Sequence, residues 1–174
     1  YGGNMMNIRE YKEADICKVA ELCINNWKES YAGILEQDYL DGLTINYGIT
    51  HWNNHFLLNG AKIFIAEEEK EFCGFIAVHD DEELDYCIYI SSLHVHQNQR
   101  GKGIGTKLIR YVGGYAYNNY QKMSICILKG NDGAKKLYGR LGAEHFKDFE
   151  DNFHNTGTIT HSEKLIWRNI DCFQ

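Results

Sequence analysis

Three glycines at alternate positions, Gly101, Gly103 and Gly105, follow the apolar run from Ile88 to Val95 and precede a helix-like stretch that opens at Ile104. Strand, glycine turn and helix start, in that order, make a site for an oxyanion. The first N–H groups of the helix point at the ligand, and the helix dipole favours negative charge. Glycines remove the Cβ atoms that would hold the ligand away. Two familiar phosphate loops do not fit. G-x4-G-K-[ST] fails because Thr106 stands five residues after Gly101, and G-x-G-x-x-G fails because the third glycine comes one residue early, at Gly105. The local charge agrees with an anion. Residues 97–142 hold nine Lys/Arg and one acid, Asp132, a balance of +8, whereas the rest of the chain carries −14. A small anionic ligand on an otherwise acidic protein fits this pattern. The overall net charge of −6 argues against nucleic acid as a partner.

Other residue types with chemical potential lead nowhere specific. His94-x-His96, and His51 with His55, lack a third ligand at useful spacing, so no metal is expected. The six cysteines (17, 23, 73, 87, 126 and 172) form no CxxC pair and read as reduced core residues of a cytoplasmic protein. No apolar run approaches the roughly 18 residues of a membrane span, so no membrane association is expected. No signal-peptide pattern is recognisable, and Tyr1 to Asn4 read as a cloning remnant.

The elements that must position the loop follow from periodicity. Met6 to Arg9 is a short strand. Ile16, Val19, Ala20, Cys23 and Trp27 recur at helical spacing within 14–27. Residues 36–43 form a short helix, and Thr44 caps a third running toward Leu58, with Asn59-Gly60 as its stop. Residues 61–67 and 71–79 make a hairpin, and 84–96 a long strand. A helix runs from Ile104 through Tyr115, a strand spans 123–128, and Asn131 caps a helix over 132–140. Residues 143–150 and 158–168 close the chain as a hairpin across a polar loop, 151–157. Hairpins mixed with helical crossovers predict one α/β domain over 1–174, a single mixed sheet flanked by helices.

The motif R-x-x-G-x-G, here Arg100 to Gly105, resembles the acyl-coenzyme A loop of the GNAT superfamily of N-acetyltransferases. Upstream, Ser92-Leu93-His94-Val95-His96 is similar to the strand that precedes that loop. Downstream, Asn131 to Gly142 resembles the superfamily's N-x-x-A-x-x-L-Y-x-x-x-G motif. Trp27, Tyr31, Gly33, Ile34 and Leu35, followed by Tyr39-Leu40, resemble the first helical pair of small-amine acetyltransferases, so the likeness covers nearly the whole chain.

The resemblance implies a GNAT-like, mostly antiparallel sheet and acetyl-CoA as co-substrate. It places the pyrophosphate on the N–H groups of Gly101, Lys102, Gly103, Ile104, Gly105 and Thr106, with Arg100 flanking. Leu93, His94 and Val95 would lie along the pantetheine arm, with the backbone of Leu93 and Val95 pairing with it. Asn131 would bond the pantetheine or acetyl end while also capping its helix. Lys136, with Lys102, Lys107 and Lys135, would meet phosphates. Tyr138 would lie against the coenzyme and be the general acid that returns a proton to the leaving thiolate, a task suited to a phenol of pKa near ~10. The acceptor would be a primary amine of a small molecule or peptide, cationic in view of the acid-rich remainder. Trp27, Glu29, Tyr31 and Tyr89 are the candidate lining.

One position departs from the pattern. The strand carboxylate that usually prepares the amine is replaced by Tyr89, so the general base is open among Asp85, Tyr89, His94 and ordered water. Two further readings follow: a non-catalytic acyl-CoA sensor, and a transferase of a longer acyl group. The Tyr117 to Tyr120 segment and the closing hairpin offer surfaces for a homodimer.

Overall fold

The computed structural model describes residues 5–153 and 156–174. The proposed remnant at 1–4 and two residues of the 151–157 loop lie outside that range. The strands are β1 (Met6–Glu10), β2 (Lys62–Glu68), β3 (Glu71–Asp80), β4 (Cys87–Val95), β5 (Lys122–Leu128), β6 (Glu144–Asn152) and β7 (Ile159–Trp167). The helices are α1 (Ile16–Ser30), α2 (Gln37–Asp41), α3 (Ile45–His55), α4 (Ile104–Ala116) and α5 (Asp132–Arg140). The strands form one seven-stranded sheet in the order β1-β2-β3-β4-β5-β7-β6. β4 and β5 run parallel, and the pairs β1/β2, β2/β3, β5/β7 and β6/β7 are antiparallel. This is the mixed α/β sheet that the order of elements predicts, mostly antiparallel as the resemblance implies.

The chain divides into two compact units, residues 1–78 with 92–109, and residues 79–91 with 110–174. In the first, the helical period of α1 brings Val19, Ala20 and Cys23 onto one face. That face is buried with Trp52 of α3 and with Ile63, Ile65, Phe75 and Ala77, which alternate along β2 and β3. Trp52 meets Phe75 edge-to-face at 5.2 Å. Arg9 clasps Asp15 with two hydrogen bonds, 2.8 and 2.9 Å, and fixes the entry to α1. In the second unit, Ile88 and Ile90 of β4, Met123 and Ile125 of β5, and Leu165 and Trp167 of β7 are buried.

Two boundaries differ from the periodicity, each for a local reason. α3 ends at His55, not Leu58, because the N–H groups of Leu57 and Leu58 bond three residues back, to Asn54 and His55, and tighten the chain into turns. β4 starts at Cys87, not Leu84. The Asp81 carboxylate takes the N–H groups of Glu83 (2.8 Å) and Leu84 (3.0 Å), and Tyr86 has φ +53°. That turn uses the residues an extended strand would have claimed. Cys17 and Cys172 are exposed, whereas Cys23, Cys73 and Cys87 are core residues; all six are free thiols. No helix among the described residues is long and apolar enough to cross a membrane.

Candidate functional site

In the first unit, the last residues of β4 use one edge and present the other. His96 N–H donates to Cys73 O at 2.7 Å, and Gly74 packs so closely on the His94 carbonyl that a Cβ there would collide with it. Alternate residues of a strand aim their N–H and C=O groups at opposite edges. Leu93 and Val95 therefore direct theirs away from β3. The chain then turns through a 3-10 turn, Gln97–Gln99, into the glycine loop. Gly101 and Gly103 have φ +80° and +78°, a region that L side chains rarely adopt, and a Cβ would meet nothing within 4 Å. The glycines are thus demanded by the path of the loop, and the space above them is open. Lys107 N–H reaches back to Gly103 O at 3.1 Å and starts α4. By helix geometry the N–H groups of Ile104, Gly105 and Thr106 have no carbonyl inside the helix to meet. Together these features form an anion cradle.

Arg100 points elsewhere. Its Nη1 donates to Glu29 at 2.9 Å, its Nη2 to Asn26 Oδ1 at 3.1 Å, and its Nε to Val95 O at 3.4 Å. Its fork is spent on α1 and on its own strand, and it holds the exposed Glu29 carboxyl below its ordinary range. Asn26 also meets His94 Nδ1 at 3.2 Å. With Asn26 Oδ1 accepting from Arg100, its amide nitrogen donates to His94. Burial, with the Arg100 charge, pushes His94 down to about 4. At neutral pH this imidazole is a neutral structural link. Lys102 donates to Gln99 at 3.0 Å. Trp27 packs on the α1/α3 core and stands edge-on to His51 at 5.1 Å. Tyr31 closes α1, its N–H on Trp27 O. Trp27, Glu29 and Tyr31 thus share the end of α1 in the first unit, whereas Tyr89 belongs to the second.

In the second unit, Asn131 caps α5, its Oδ1 accepting from Ala134 N–H at 3.2 Å. Tyr138 comes two turns later on α5, buried and edge-on to Trp167 at 6.2 Å. Burial pushes its phenol up to about 12. Lys136 is exposed, and Lys135 is tied to Glu163 at 2.9 Å. Replacing Asn131 with alanine removes the cap and lowers stability by about 1 kcal/mol in denaturant titration. The same variant weakens coenzyme binding if the amide also meets the pantetheine arm.

The same unit holds a cavity of about 450 Å³ lined by His79 at the end of β3, the acidic turn from Asp81, Tyr89 of β4, Cys126 of β5 and Lys164 of β7. Its charges are interlocked. Lys164 donates to Asp81 at 2.7 Å and to Glu83 at 3.1 Å, Lys147 reaches Glu83 at 2.7 Å, and Ser124 donates to Asp81 at 2.6 Å. Burial alone would raise the Asp81 carboxyl, yet these donors outweigh it and hold it below the usual carboxylate range. Tyr89 and Cys126 are both raised, chiefly by burial. Of the lining, sequence reasoning singled out Tyr89 for the acceptor. The others come from the turn after β3 and from several strands, with no motif between them. The one available signal was Glu163-Lys164, two charges set in the apolar end of the last strand. Asp85, weighed as a base, sits exposed in the turn before β4. Elsewhere in this unit His145, Asp148 and Glu163 offer oxygen and nitrogen atoms within 4.8 Å of one another. Lys129 and Lys135 already neutralise these carboxylates, at 2.9 Å each.

Comparison with known proteins agrees with this fold. The model of the Acetyltransferase (GNAT) family matches residues 24–143. The uncharacterized N-acetyltransferase YuaI of Bacillus subtilis is 22% identical over 98% of this chain and 97% of its own. Among solved structures, YncA of Salmonella typhimurium, determined with acetyl-CoA, superposes with a TM-score of 0.71 at 22% identity, covering 97% of this chain and 95% of that one. Spermidine N-acetyltransferase of Vibrio cholerae, in complex with CoA and spermine, gives a TM-score of 0.72 at 17% identity over 93% and 94%. The family match spans more than half of the chain, and the glycine loop and the Asn131–Tyr138 helix fall inside it: the chain belongs to the GNAT family of acetyltransferases.

Proposed function

We propose that this protein transfers the acetyl group of acetyl-CoA to a primary amine by direct attack in a ternary complex. The observation that carries the reading is the loop. Gly101 and Gly103 take left-handed conformations just before the 13-residue α4, which aims donors and a positive dipole end at a pyrophosphate-sized anion. The outward edge of Leu93 and Val95 suits the amide groups of a pantetheine arm, as an added strand would. The coenzyme supplies the activated acetyl thioester. Tyr138, protonated throughout the physiological range, donates a hydrogen bond and then a proton to the departing sulfur. The acceptor occupies the cavity at His79, Tyr89 and Cys126. Its three acids against two lysines leave a single net negative charge, which favours an amine that arrives as a cation. An amine is also the acceptor named for the Vibrio cholerae fold neighbour.

Release of free thiol from acetyl-CoA, followed with polyamines, amino acids, aminoglycosides and short peptides, tests the reading. The expected result is turnover with one of these classes. No turnover, with coenzyme binding intact, would overturn it in favour of an acyl-CoA sensor or a longer acyl donor.

A further inference from the structure

The glycine loop of the first unit has little of its own to hold it. Gly101 and Gly103 bring no side chain, and a Cβ on either would meet nothing within 4 Å. Resting on the reading of this loop as the coenzyme site, we infer that Arg100 is a positioning residue and not a phosphate ligand. Asn26 and Glu29 of α1 hold its guanidinium, and through it they hold the loop in the shape that takes the pyrophosphate.

The hydrogen bonds of the guanidinium support this. The group has five N–H donors in a rigid fork. Four of them are taken. Nη1 donates to Glu29 Oε1 at 2.9 Å and Nη2 to Glu29 Oε2 at 3.4 Å, a bidentate pair. Nη2 also donates to Asn26 Oδ1 at 3.1 Å, and Nε to Val95 O at 3.4 Å. A single N–H on Nη1 is left, too few for the two-pronged grip by which arginine selects a phosphate.

Both ends of the link are anchored. Asn26 is buried on α1. Its Oδ1 accepts from Arg100 and its amide nitrogen donates to His94 Nδ1 at 3.2 Å, so one side chain ties α1 to β4 and to the entry of the loop. Arg100 directly precedes Gly101, and its own N–H returns to Gln97 O at 3.4 Å. On the far side of the loop, Lys107 N–H bonds Gly103 O at the start of α4. Between these two flanks lies glycine backbone, which loses more conformational freedom on ordering than any other. A flank fixed before the coenzyme arrives removes part of that loss from the binding step.

Charge sets the sign of the test. Glu29 is an acid bonded to the residue that opens an anion site. If Arg100 served the pyrophosphate, Glu29 would compete for it and repel the ligand, and loss of the acid would tighten binding. If Arg100 serves α1, loss of the acid loosens the loop and weakens binding. The pair is also a poor source of global stability, since the Arg100 and Glu29 side chains are 42% and 52% exposed.

The test is the affinity for CoA, by calorimetry, of the wild type, Arg100→Met, Glu29→Ala and the double variant. The thermal midpoint and the amide hydrogen exchange of residues 101–107 are measured on the coenzyme-free proteins. Arg100→Met should weaken CoA binding by about 10-fold, and Glu29→Ala by about 3-fold. The double variant should bind no worse than Arg100→Met, because the two side chains act as one unit. Exchange over the loop should quicken in coenzyme-free Arg100→Met while the midpoint moves by no more than a few degrees. Tighter binding by Glu29→Ala overturns the inference and assigns Arg100 to the phosphates, as do unchanged loop exchange in Arg100→Met and losses that add in the double variant. A large fall in midpoint overturns it by showing a role in global stability. A wild type that binds CoA, shows these variant effects and acetylates no amine upholds the inference and overturns the acetyl-transfer reading alone. A wild type that binds no CoA overturns both.

Discussion

Tyr138→Phe lowers kcat by about 10²- to 10⁴-fold and leaves the affinity for acetyl-CoA unchanged. The substitution removes one oxygen from a side chain that is 8% exposed and keeps the ring against Trp167, so the helix and its packing survive. In the proposed mechanism, what is lost is the donor for the leaving sulfur. A thiolate is a tolerable leaving group on its own, which keeps the effect below that of removing a nucleophile. The sign of the pH effect is fixed by the raised phenol. Since burial pushes Tyr138 up to about 12, its deprotonation contributes no falling limb to the rate across the physiological range. An ordinary phenol would begin to lose activity near ~10. Single-turnover measurements against pH, with coenzyme affinity measured separately, check both statements. A drop in affinity without a drop in kcat would assign Tyr138 to binding alone.

Lys164→Met destabilises the protein by about 3–5 kcal/mol. Lys164 is 7% exposed and Asp81 only 2%, so the variant leaves a carboxylate buried without its cation while Glu83 loses one of its two partners. For a chain of this length the midpoint of thermal unfolding falls by roughly 6–20 °C. The pH dependence follows from the depressed Asp81 carboxyl. Its contribution is present above the unfolded carboxyl value near ~3.9 and is lost as pH falls through the lower folded value. In the variant the bare carboxylate is relieved by taking a proton. The difference between the two proteins is therefore largest near neutrality and narrows in acid. Denaturant titrations at several pH values measure it, and a difference independent of pH would show that Asp81 is not the group left uncompensated.

Most elements and the course of the glycine loop were legible because their determinants are local. Alternating apolar residues, Thr44 and Asn131 as caps, and the glycines at the junction of a strand and a helix each act within a few residues. The ends of α3 and the start of β4 were not, since they depend on turn bonds and on the Asp81 carboxylate reaching forward. Arg100 was legible as a motif residue, yet its side chain is directed by Asn26 and Glu29, more than 70 positions away in the chain. The cavity proposed for the acceptor was the least legible part. His79, Tyr89, Cys126 and Lys164 come from four strands, and only sheet register makes them neighbours. The absent carboxylate on β4 could be read directly.

The most direct test of the central claim is to follow an isotopically labelled acetyl group from acetyl-CoA by mass spectrometry, with and without an accepted amine. The account predicts label on the amine nitrogen, in step with thiol release, and no label on the protein when the amine is omitted. Label recovered as free acetate would contradict amine transfer, and label on a cysteine in the absence of amine would contradict direct attack.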